Sequence, residues 1–219
     1  MKLYSYYRSS ASYRVRIALN LKGLDHEQVA VHLVKDGGQQ LRAAYREISA
    51  DGLVPALVDE SLPGPAHALT QSLAIIEYLD EAYSEVPLLP RHPAERAYVR
   101  SLALSIACDI HPIDNLRVLR YLTDTLKVEE AQKDAWYRHW AEQGLAALET
   151  TIKRAGSAGA FCFGDTPTLA DCCLVPQIYN ARRFKCDISG LATLLRIDAN
   201  CQDRLAFRDA APENQPDAP

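Results

Sequence analysis

The sequence has no Cys-x-x-Cys pair and no set of cysteines and histidines with zinc-finger spacing, although it contains six cysteines. We therefore expect reduced, mostly buried thiols and no metal site. No apolar run reaches the length of a membrane span, so a membrane partner is not expected. The chain begins directly with a strand pattern, without an apolar targeting region or a small-residue cleavage site, and this favours a cytoplasmic location.

An excess of positive charge is also missing. The 219 residues include 24 Lys and Arg against 28 Asp and Glu, which gives a formal net charge of −4. Because nucleic-acid binding needs a basic surface, we expect no nucleic-acid partner. Apolar residues make up 48% of the chain, which is enough for the core of an ordinary globular protein with one or two domains.

The first part of the sequence alternates between strand and helix patterns. In chain order these are the strand Lys2–Tyr7, a helix ending near Gly23, the strand Val29–Leu33, the short irregular helix Gln39–Ile48, the strand Leu53–Val58, a turn at Ser61–Pro65, the strand Ala66–Thr70 and the helix Leu73–Tyr83. The order βαβαββα, with a parallel first pair, is the thioredoxin-like arrangement. We assign it to residues 1–84.

Residues 9–12, Ser-Ser-Ala-Ser, lie where the first helix is predicted to start. A helix N-terminus can hold an anion because its first N–H groups have no helical partner and the helix dipole is positive there. A thioredoxin-like fold would carry Cys-x-x-Cys at this position, and a site suited to a thiolate without its own sulfur indicates a borrowed thiol. Glutathione is the obvious candidate. The same serines could also simply cap the helix, with Ser10 or Ser12 as the N-cap, and the residues alone leave both roles open.

Two more places in this part of the chain are suited to ligand contacts. Gln71 and Ser72 open another helix with polar side chains, which again suits a carboxylate. The bond between Val54 and Pro55 lies at the start of a predicted strand and can be cis, which would expose the backbone of Val54 to a ligand.

The second part of the sequence is predicted to be all-helical. The stretch Val86–Pro93, with three prolines, is the predicted linker. The helical segments that follow are Ala94–Leu126 with a kink at Pro112, Glu129–Ala155, Leu169–Phe184 behind a capping box of Thr168 and Asp171, and a final helix within Gly190–Ala210. We assign the helical domain to residues 94–219 and expect the polar tail Pro212–Pro219 to be disordered or bound to the surface.

Several motifs resemble the zeta class of glutathione transferases. They are residues 9–19 (Ser-Ser-Ala-Ser-Tyr-Arg-Val-Arg-Ile-Ala-Leu), 36–40, Val54-Pro55, 71–79, 164–171 and the ending 211–217. The first motif is specific to the class, the motif at 164–171 is shared by glutathione transferases generally, and the resemblance covers essentially the whole chain. It implies the glutathione transferase fold, with an α/β thioredoxin-like N-terminal domain and an all-α C-terminal domain.

The resemblance also implies glutathione as cofactor, a homodimer and a set of residues that contact glutathione: Ser9, Ser10, Gln40, Val54, Gln71, Ser72, His111 and Asn115. Gln71 and Ser72 would hold the γ-glutamyl end, and Val54 would pair with the cysteinyl backbone. Ser9 and Ser10 would contact the sulfur, and Gln40 the glycyl end. His111 and Asn115 would approach glutathione from the helical domain, although His111 could also be a core histidine.

The class includes maleylacetoacetate isomerase and bacterial maleylpyruvate isomerase, so the resemblance implies cis–trans isomerisation of a maleyl-oxo acid. Ser9, Ser10 and Arg8 would be catalytic, and a set of arginines would bind the small dicarboxylate substrate: Arg8, Arg117, Arg182 and Arg183. This set resembles that of bacterial maleylpyruvate isomerases, and Ala11 stands where well-known animal members have cysteine. We therefore favour maleylpyruvate to fumarylpyruvate, in gentisate-type aromatic degradation, over maleylacetoacetate to fumarylacetoacetate, in tyrosine degradation.

Other interpretations remain beside this one. A general zeta-class transferase or dehalogenase of small α-haloacids would consume glutathione, and a non-catalytic scaffold would only bind it. Tyr6 and Tyr7 could be catalytic tyrosines, but packing in the strand is the preferred explanation. Arg14 and Arg16 are interpreted as structural or solvated residues, and Arg117 is by default part of a solvated helix face.

Overall fold

The computed structural model describes residues 1–61 and 68–219. Contacts divide the chain into two compact units, one formed by residues 1–88 with 202–219 and the other by residues 89–201. The predicted turn at Ser61–Pro65 and the first residues of the strand Ala66–Thr70 lie largely outside the described residues. The unit boundary at 88 falls in the predicted linker, but residues 202–219 group with the first unit, whereas the sequence assigned them to the helical domain 94–219.

The described part of the first unit contains a four-stranded sheet with the order β2-β1-β3-β4. Its strands are β1 (Lys2–Ser5), β2 (Glu27–Ala30), β3 (Ala56–Val58) and β4 (Ala68–Thr70). β1 is parallel to β2 and antiparallel to β3, and β3 is antiparallel to β4, as the βαβαββα order requires. Ala56 lies opposite Tyr4 on one side and Thr70 on the other, so the chain leaves β1, enters β3 and leaves β4 at the same end of the sheet.

The α-helices of the described residues are α1 (Ser10–Lys22), α2 (Ala43–Arg46), α3 (Ser72–Ala82), α4 (Pro93–Leu104), α5 (Leu116–Arg120), α6 (Glu130–Ala155), α7 (Leu169–Arg183), α8 (Ala192–Gln202) and α9 (Leu205–Asp209). The predicted thioredoxin-like domain and the helical domain are both confirmed. α1 ends at Gly23, which takes a left-handed φ of 63° and donates its N–H to Asn20 O, as a C-terminal glycine does.

The N-cap of α1 differs from the prediction of Ser10 or Ser12. Ser9 has the extended backbone of an N-cap, with φ −73° and ψ 119°, and its Oγ accepts the N–H of Ser12 at 3.2 Å. The chain therefore turns into the helix one residue earlier than expected, at the residue that precedes the buried Ser10.

Two predicted segments are divided into shorter elements, which agrees with the irregular helix predicted for the first of them. The segment Gln39–Ile48 forms a 3₁₀ turn at Gln39–Leu41 followed by α2. The segment Ala94–Leu126 forms α4, a π-helical stretch at Ser105–Ile110, a turn and then α5. Pro112 lies in that turn, where its missing N–H costs no helical hydrogen bond. The second strand is also shorter than predicted and ends at Ala30.

The start of α7 confirms the predicted capping box. Asp171 is fully buried, and its Oδ2 accepts the N–H and the hydroxyl of Thr168, both at 2.8 Å. Its Oδ1 accepts the N–H of Cys162, also at 2.8 Å, so one carboxylate joins the helix start to the preceding loop. α7 packs against α4 and α6 within the second unit.

The C-terminal tail is ordered and bound to the first unit, which agrees with the surface-bound alternative and excludes the disordered one. The predicted final helix within Gly190–Ala210 consists of α8 and α9, and a 3₁₀ turn follows at Pro212–Asn214. Gln215 is buried and its Nε2 donates to the carbonyl oxygens of Asp209 and Ala211, each at 2.8 Å. The polar composition of the tail did not predict these hydrogen bonds, because composition does not show which carbonyl groups a side chain reaches.

A buried carboxylate fixes the end of β3. Asp59 accepts hydrogen bonds from the N–H of Ser61 at 3.0 Å, and from the hydroxyls of Ser61, Tyr78 and Tyr83 at 2.8 Å each. Burial alone would raise the pKa of Asp59, but these bonds together lower it to about 2. The pKa of an unfolded carboxyl is about 4. The ionised Asp59 therefore stabilises the folded protein fully above that pH, and this stabilisation is lost as the pH falls through the lower pKa of the folded state.

We predict that Asp59→Asn lowers the free energy of unfolding by about 2 kcal/mol near neutral pH. The difference from wild type should shrink as the pH falls from about 4, because the wild-type carboxyl is then protonated as well. Urea unfolding at a series of pH values measures this. Asp51→Asn, at an exposed carboxylate, is the matched control and should change little. A deficit of Asp59→Asn that does not vary with pH would contradict the role of the charge.

Candidate functional site

The junction of β1 and α1 lies at the end of the sheet where β3 begins and β4 ends. Ser9 lies at this junction, Val54 lies just before β3, and Gln71 follows β4 directly. The fold therefore brings three of the sequence-predicted glutathione contacts to one end of one sheet. The carboxyl end of such a sheet is a common place for ligands.

Ser9 is better placed than Ser10 to meet a sulfur. Ser9 is partly exposed, whereas Ser10 is buried as the first residue of α1. The bond from Ser12 N uses a lone pair of the Ser9 hydroxyl, so its O–H hydrogen is available to donate. The first turn of α1 carries no acidic side chain, so the helix end keeps its attraction for an anion.

The start of α3 is a second place for an anion. Gln71 adopts a left-handed φ of 67°, which is strained for a residue other than glycine, and its side chain makes no capping bond to the described residues of α3. Strain of this kind is retained mainly where a site needs it. Ser72 Oγ accepts a hydrogen bond from Arg14 Nη1 at 3.2 Å, which leaves its own O–H to donate to a carboxylate.

Arg14 is the functional neighbour that the sequence interpretation missed. It is buried on α1, and its bond to Ser72 connects the start of α3 to the helix that carries Ser9 at its cap. A guanidinium that polarises a hydroxyl strengthens the hydrogen bond which that hydroxyl donates. The available signal was a cation between the apolar residues Tyr13 and Val15 of the helix, since a charge that is buried with them must find polar partners.

Val54 and Gln40 have different surroundings. Val54 is buried, is joined to Pro55 by a cis peptide bond as the sequence allowed, and lies outside the paired residues of the sheet. Its backbone polar groups are therefore not part of the β-ladder. Gln40 is buried in the 3₁₀ turn, where its Nε2 donates to Leu33 O at 3.4 Å. Its Oε1 is buried without a hydrogen-bond partner among the described residues.

Arg8 is exposed beside Ser9, with its guanidinium 5.6 Å from the centre of the Tyr7 ring. Tyr6 packs in a core cluster with Val31 and Tyr45. Burial, together with a hydrogen bond to Tyr7, raises the pKa of Tyr6 to about 12, which keeps the phenol neutral. These features agree with the preferred explanation of strand packing for Tyr6.

In the second unit, the turn before α5 brings His111 and Asn115 together. His111 Nε2 lies 3.4 Å from Asn115 Nδ2, and Asn115 caps α5 by accepting the N–H of Arg117 at 3.1 Å. Trp136 of α6 anchors this turn by donating to Ile113 O at 3.0 Å. The two polar side chains predicted to contact glutathione thus form one neighbouring pair on a fixed turn.

Asp114 lies inside the same turn and is buried. Neither carboxyl oxygen has a hydrogen-bond partner among the described residues. Burial raises the pKa of Asp114 to about 8, so the carboxyl holds its proton near neutral pH. No sequence pattern indicated this group, because Tyr137 of α6 and Cys186 after α7, which are distant in sequence, lie near it.

The two arginines at the end of α7 have different environments. Arg182 forms an ion pair with the buried Asp198 of α8, with 2.7 Å between Nη1 and Oδ2. Arg183 lies over the ring of Phe184 at 4.3 Å, and Phe184 stacks on Tyr137 with 3.5 Å between ring centres. Arg117 is exposed on α5. Both arginines therefore have neighbours at the end of α7, and the ion pair of Arg182 with a buried carboxylate supports a structural role for Arg182.

The described residues offer no alternative centre based on a metal. Within 1–61 and 68–219 no group of three or more His, Cys, Asp and Glu side chains could hold a metal ion, and no helix is long and apolar enough to cross a bilayer. The cysteines are free thiols, and all except Cys108 are buried.

Comparison with known proteins gives matches over both units. The family model of the glutathione S-transferase N-terminal domain matches residues 3–87, and that of the C-terminal domain matches residues 134–186. A protein of Vibrio cholerae named probable maleylacetoacetate isomerase is 51% identical over 216 residues, which cover 99% of this chain and 97% of the relative.

Solved structures agree with these matches. The holo structure of a maleylpyruvate isomerase, described as a bacterial glutathione S-transferase of the zeta class, has a TM-score of 0.94 and 46% identity, with 100% of both chains covered. A maleylacetoacetate isomerase from Methylobacterium extorquens, solved with malonate and glutathione bound, has a TM-score of 0.94 and 39% identity, again with 100% of both chains covered. By sequence and by structure, the chain belongs to the zeta class of the glutathione S-transferase family.

Proposed function

We propose that this protein is a glutathione-dependent cis–trans isomerase of a maleyl-oxo acid. The preferred substrate is maleylpyruvate, converted to fumarylpyruvate, and maleylacetoacetate is the alternative within the same reaction. The observation that carries the proposal is the hydroxyl of Ser9 at the start of α1, where a thioredoxin-like fold would hold its own sulfur. Relatives across the full chain that are named as isomerases of these two substrates support it.

The donor set of the first unit fits glutathione. The tripeptide carries a carboxylate at each end and a thiol between them, and the sheet end offers two helix N-termini with hydroxyl donors and the backbone of Val54. We assign Gln71 and Ser72 to the γ-glutamyl end, Val54 to the cysteinyl backbone and Gln40 to the glycyl end. The unpartnered Oε1 of Gln40 supports its assignment, because a buried amide oxygen needs a donor such as a peptide N–H.

When bound, glutathione supplies a thiolate that adds reversibly to the conjugated double bond, makes it single for long enough to rotate, and leaves unchanged. The task of Ser9 is to keep that sulfur ionised. A free thiol with a pKa of about 8.5 is only a few per cent thiolate near neutral pH. A shift of about two units requires roughly 2.7 kcal/mol. One hydrogen bond to a charged group contributes roughly 1.5–3 kcal/mol, and the helix end adds to it.

The substrate brings two carboxylates and develops negative charge on its ketone oxygen during the reaction. We assign these charges to Arg8, Arg117 and Arg183, because the planar guanidinium can donate two parallel bonds to a carboxylate. Arg182 is left out, since its ion pair with Asp198 supports a structural role. Malonate bound to a related isomerase is consistent with a small dicarboxylate as the ligand.

We also propose a cytoplasmic homodimer that acts in the degradation of aromatic acids. The family resemblance supports the dimer. The exposed apolar side chains of Leu104 on α4 and Tyr121 after α5 would suit a partner surface.

A spectrophotometric assay of the purified protein tests the proposal. Maleylpyruvate and maleylacetoacetate are each offered with and without glutathione, and formation of the fumaryl product is followed. We expect conversion that depends on glutathione, and the ratio of the two kcat/KM values identifies the substrate. Binding of glutathione without conversion of either substrate would contradict the proposal and favour conjugation of α-haloacids or a scaffold role.

We predict that Ser9→Ala lowers kcat by roughly 10- to 100-fold at saturating glutathione, because the thiolate loses a charged hydrogen bond. Ser9→Thr keeps the hydroxyl and should retain much of the rate. Ser10→Ala removes the buried hydroxyl and should have the smaller effect. Thermal unfolding of each variant separates loss of the helix cap from loss of chemistry. A Ser9→Ala enzyme as fast as wild type would refute the assignment.

We predict that Arg183→Met raises the KM of the dicarboxylate substrate about tenfold, because one charged contact is lost, and leaves the affinity for glutathione unchanged. Arg182→Met is the matched comparison on the same helix. It should leave KM nearly unchanged and lower the thermal stability, because the buried Asp198 loses its cation. Steady-state kinetics and thermal unfolding of both variants provide the check, and the reverse pattern would exchange the two roles.

A further inference from the structure

The turn between β1 and α1 has two backbone groups that neither strand nor helix satisfies. Tyr7 is the first of the two central residues of this turn, which the bond from Ser9 N to Tyr6 O closes at 2.9 Å. Both polar groups of the Tyr7 backbone are held by side chains. Its carbonyl accepts from Arg16 Nη2 at 2.9 Å, and its N–H donates to Asp217 Oδ2 at 2.9 Å.

Asp217 belongs to the C-terminal tail, which is itself fixed. Gln215 is buried and bonds to the carbonyls of Asp209 and Ala211, and Ala218 N donates back to Gln215 O at 3.0 Å. Asp217 thus lies within a closed turn of the tail. A segment at the chain end usually frays unless such bonds hold it.

The charge of Asp217 is balanced inside the first unit. Burial lowers the pKa of Arg16 to about 10, and the negative charge of Asp217 acts in the opposite direction by favouring the guanidinium. The negative charge of Asp217 also acts to raise the pKa of Tyr6 and of His32 near the turn, whereas the positive charge of Arg8 acts to lower both. Asp217 is partly exposed, but its Oδ1 is buried without a hydrogen-bond partner among the described residues.

Two residues after Tyr7 comes Ser9, which is proposed to donate to the sulfur, and Arg8 lies between them. The direction of the Ser9 hydroxyl depends on how the chain leaves β1. We propose that Asp217, from the C-terminal tail, is a positioning residue that fixes the turn at Tyr7 and thereby aims Ser9 and Arg8 at the glutathione thiol and the substrate. The inference rests on the proposed function, and it gives a role to the ending Ala211–Asp217 that the site otherwise does not use.

The test measures the pKa of the thiol of glutathione bound to the full-length protein, from the ultraviolet absorbance of the thiolate as a function of pH. Asp217→Ala should raise that pKa by about one unit, which means about tenfold less thiolate at a pH below both values. Asp217→Asn keeps an oxygen that can accept the Tyr7 N–H and should give a clearly smaller shift. Glu213→Gln, at an exposed carboxylate of the same tail, is the control and should not shift it.

A second variant covers the case in which Asp217→Ala does not fold. Gln215→Ala keeps Asp217 but removes the two bonds that fix the tail, so it should shift the thiol pKa in the same direction. A wild-type thiol pKa well below ~8.5 that neither Asp217→Ala nor Gln215→Ala changes would overturn the positioning role alone. A wild-type value at the ordinary position of a free thiol would instead overturn the role of Ser9, and the inference with it.

Discussion

A buried cation, Arg16, holds together the strand end, the helix and the chain terminus of the first unit. Its guanidinium donates to the carbonyl oxygens of Tyr7 and Ala210 at 2.9 Å and to Ser5 Oγ at 3.1 Å. A buried charge is tolerated only when its donors are used, so these partners constrain one another. Since Ser9 follows Tyr7 closely, the interaction that makes the cation acceptable inside the unit also fixes the direction in which the chain enters α1.

The function follows from what this fixed sheet end lacks as well as from what it holds. Ala11 leaves the first turn of α1 without a sulfur, and the sequence places no acidic residue in the first turn of α1 or α3. The two helix ends therefore remain open to anions. The hydroxyls of Ser9 and Ser72 at these helix ends can each donate a directed hydrogen bond, and the buried Arg14 polarises the hydroxyl of Ser72. The protein supplies an environment that stabilises negative charge, while the reactive atom comes from the cofactor.

Local patterns could predict most of the fold, because caps and periodicity report on neighbouring residues. The order of strands and helices along the chain, α6, and the capping box of Thr168 and Asp171 all followed from short spacings. The rest depended on distant partners. The sequence left open whether the tail is disordered or bound to the surface, because its bond from Asp217 to Tyr7 spans 210 residues of sequence. Arg182 and its neighbour could not be separated by sequence, because the partner of Arg182 lies on another helix.

The stoichiometry of glutathione during turnover distinguishes a thiol that acts as a cofactor from a thiol that is consumed. A large excess of maleylpyruvate is mixed with the protein and a small amount of glutathione, and both are followed by proton magnetic resonance. We predict complete conversion to the fumaryl isomer, with many turnovers for each glutathione and the thiol recovered unchanged. Conversion that stops after one equivalent, with glutathione accumulating as a stable conjugate, would contradict it.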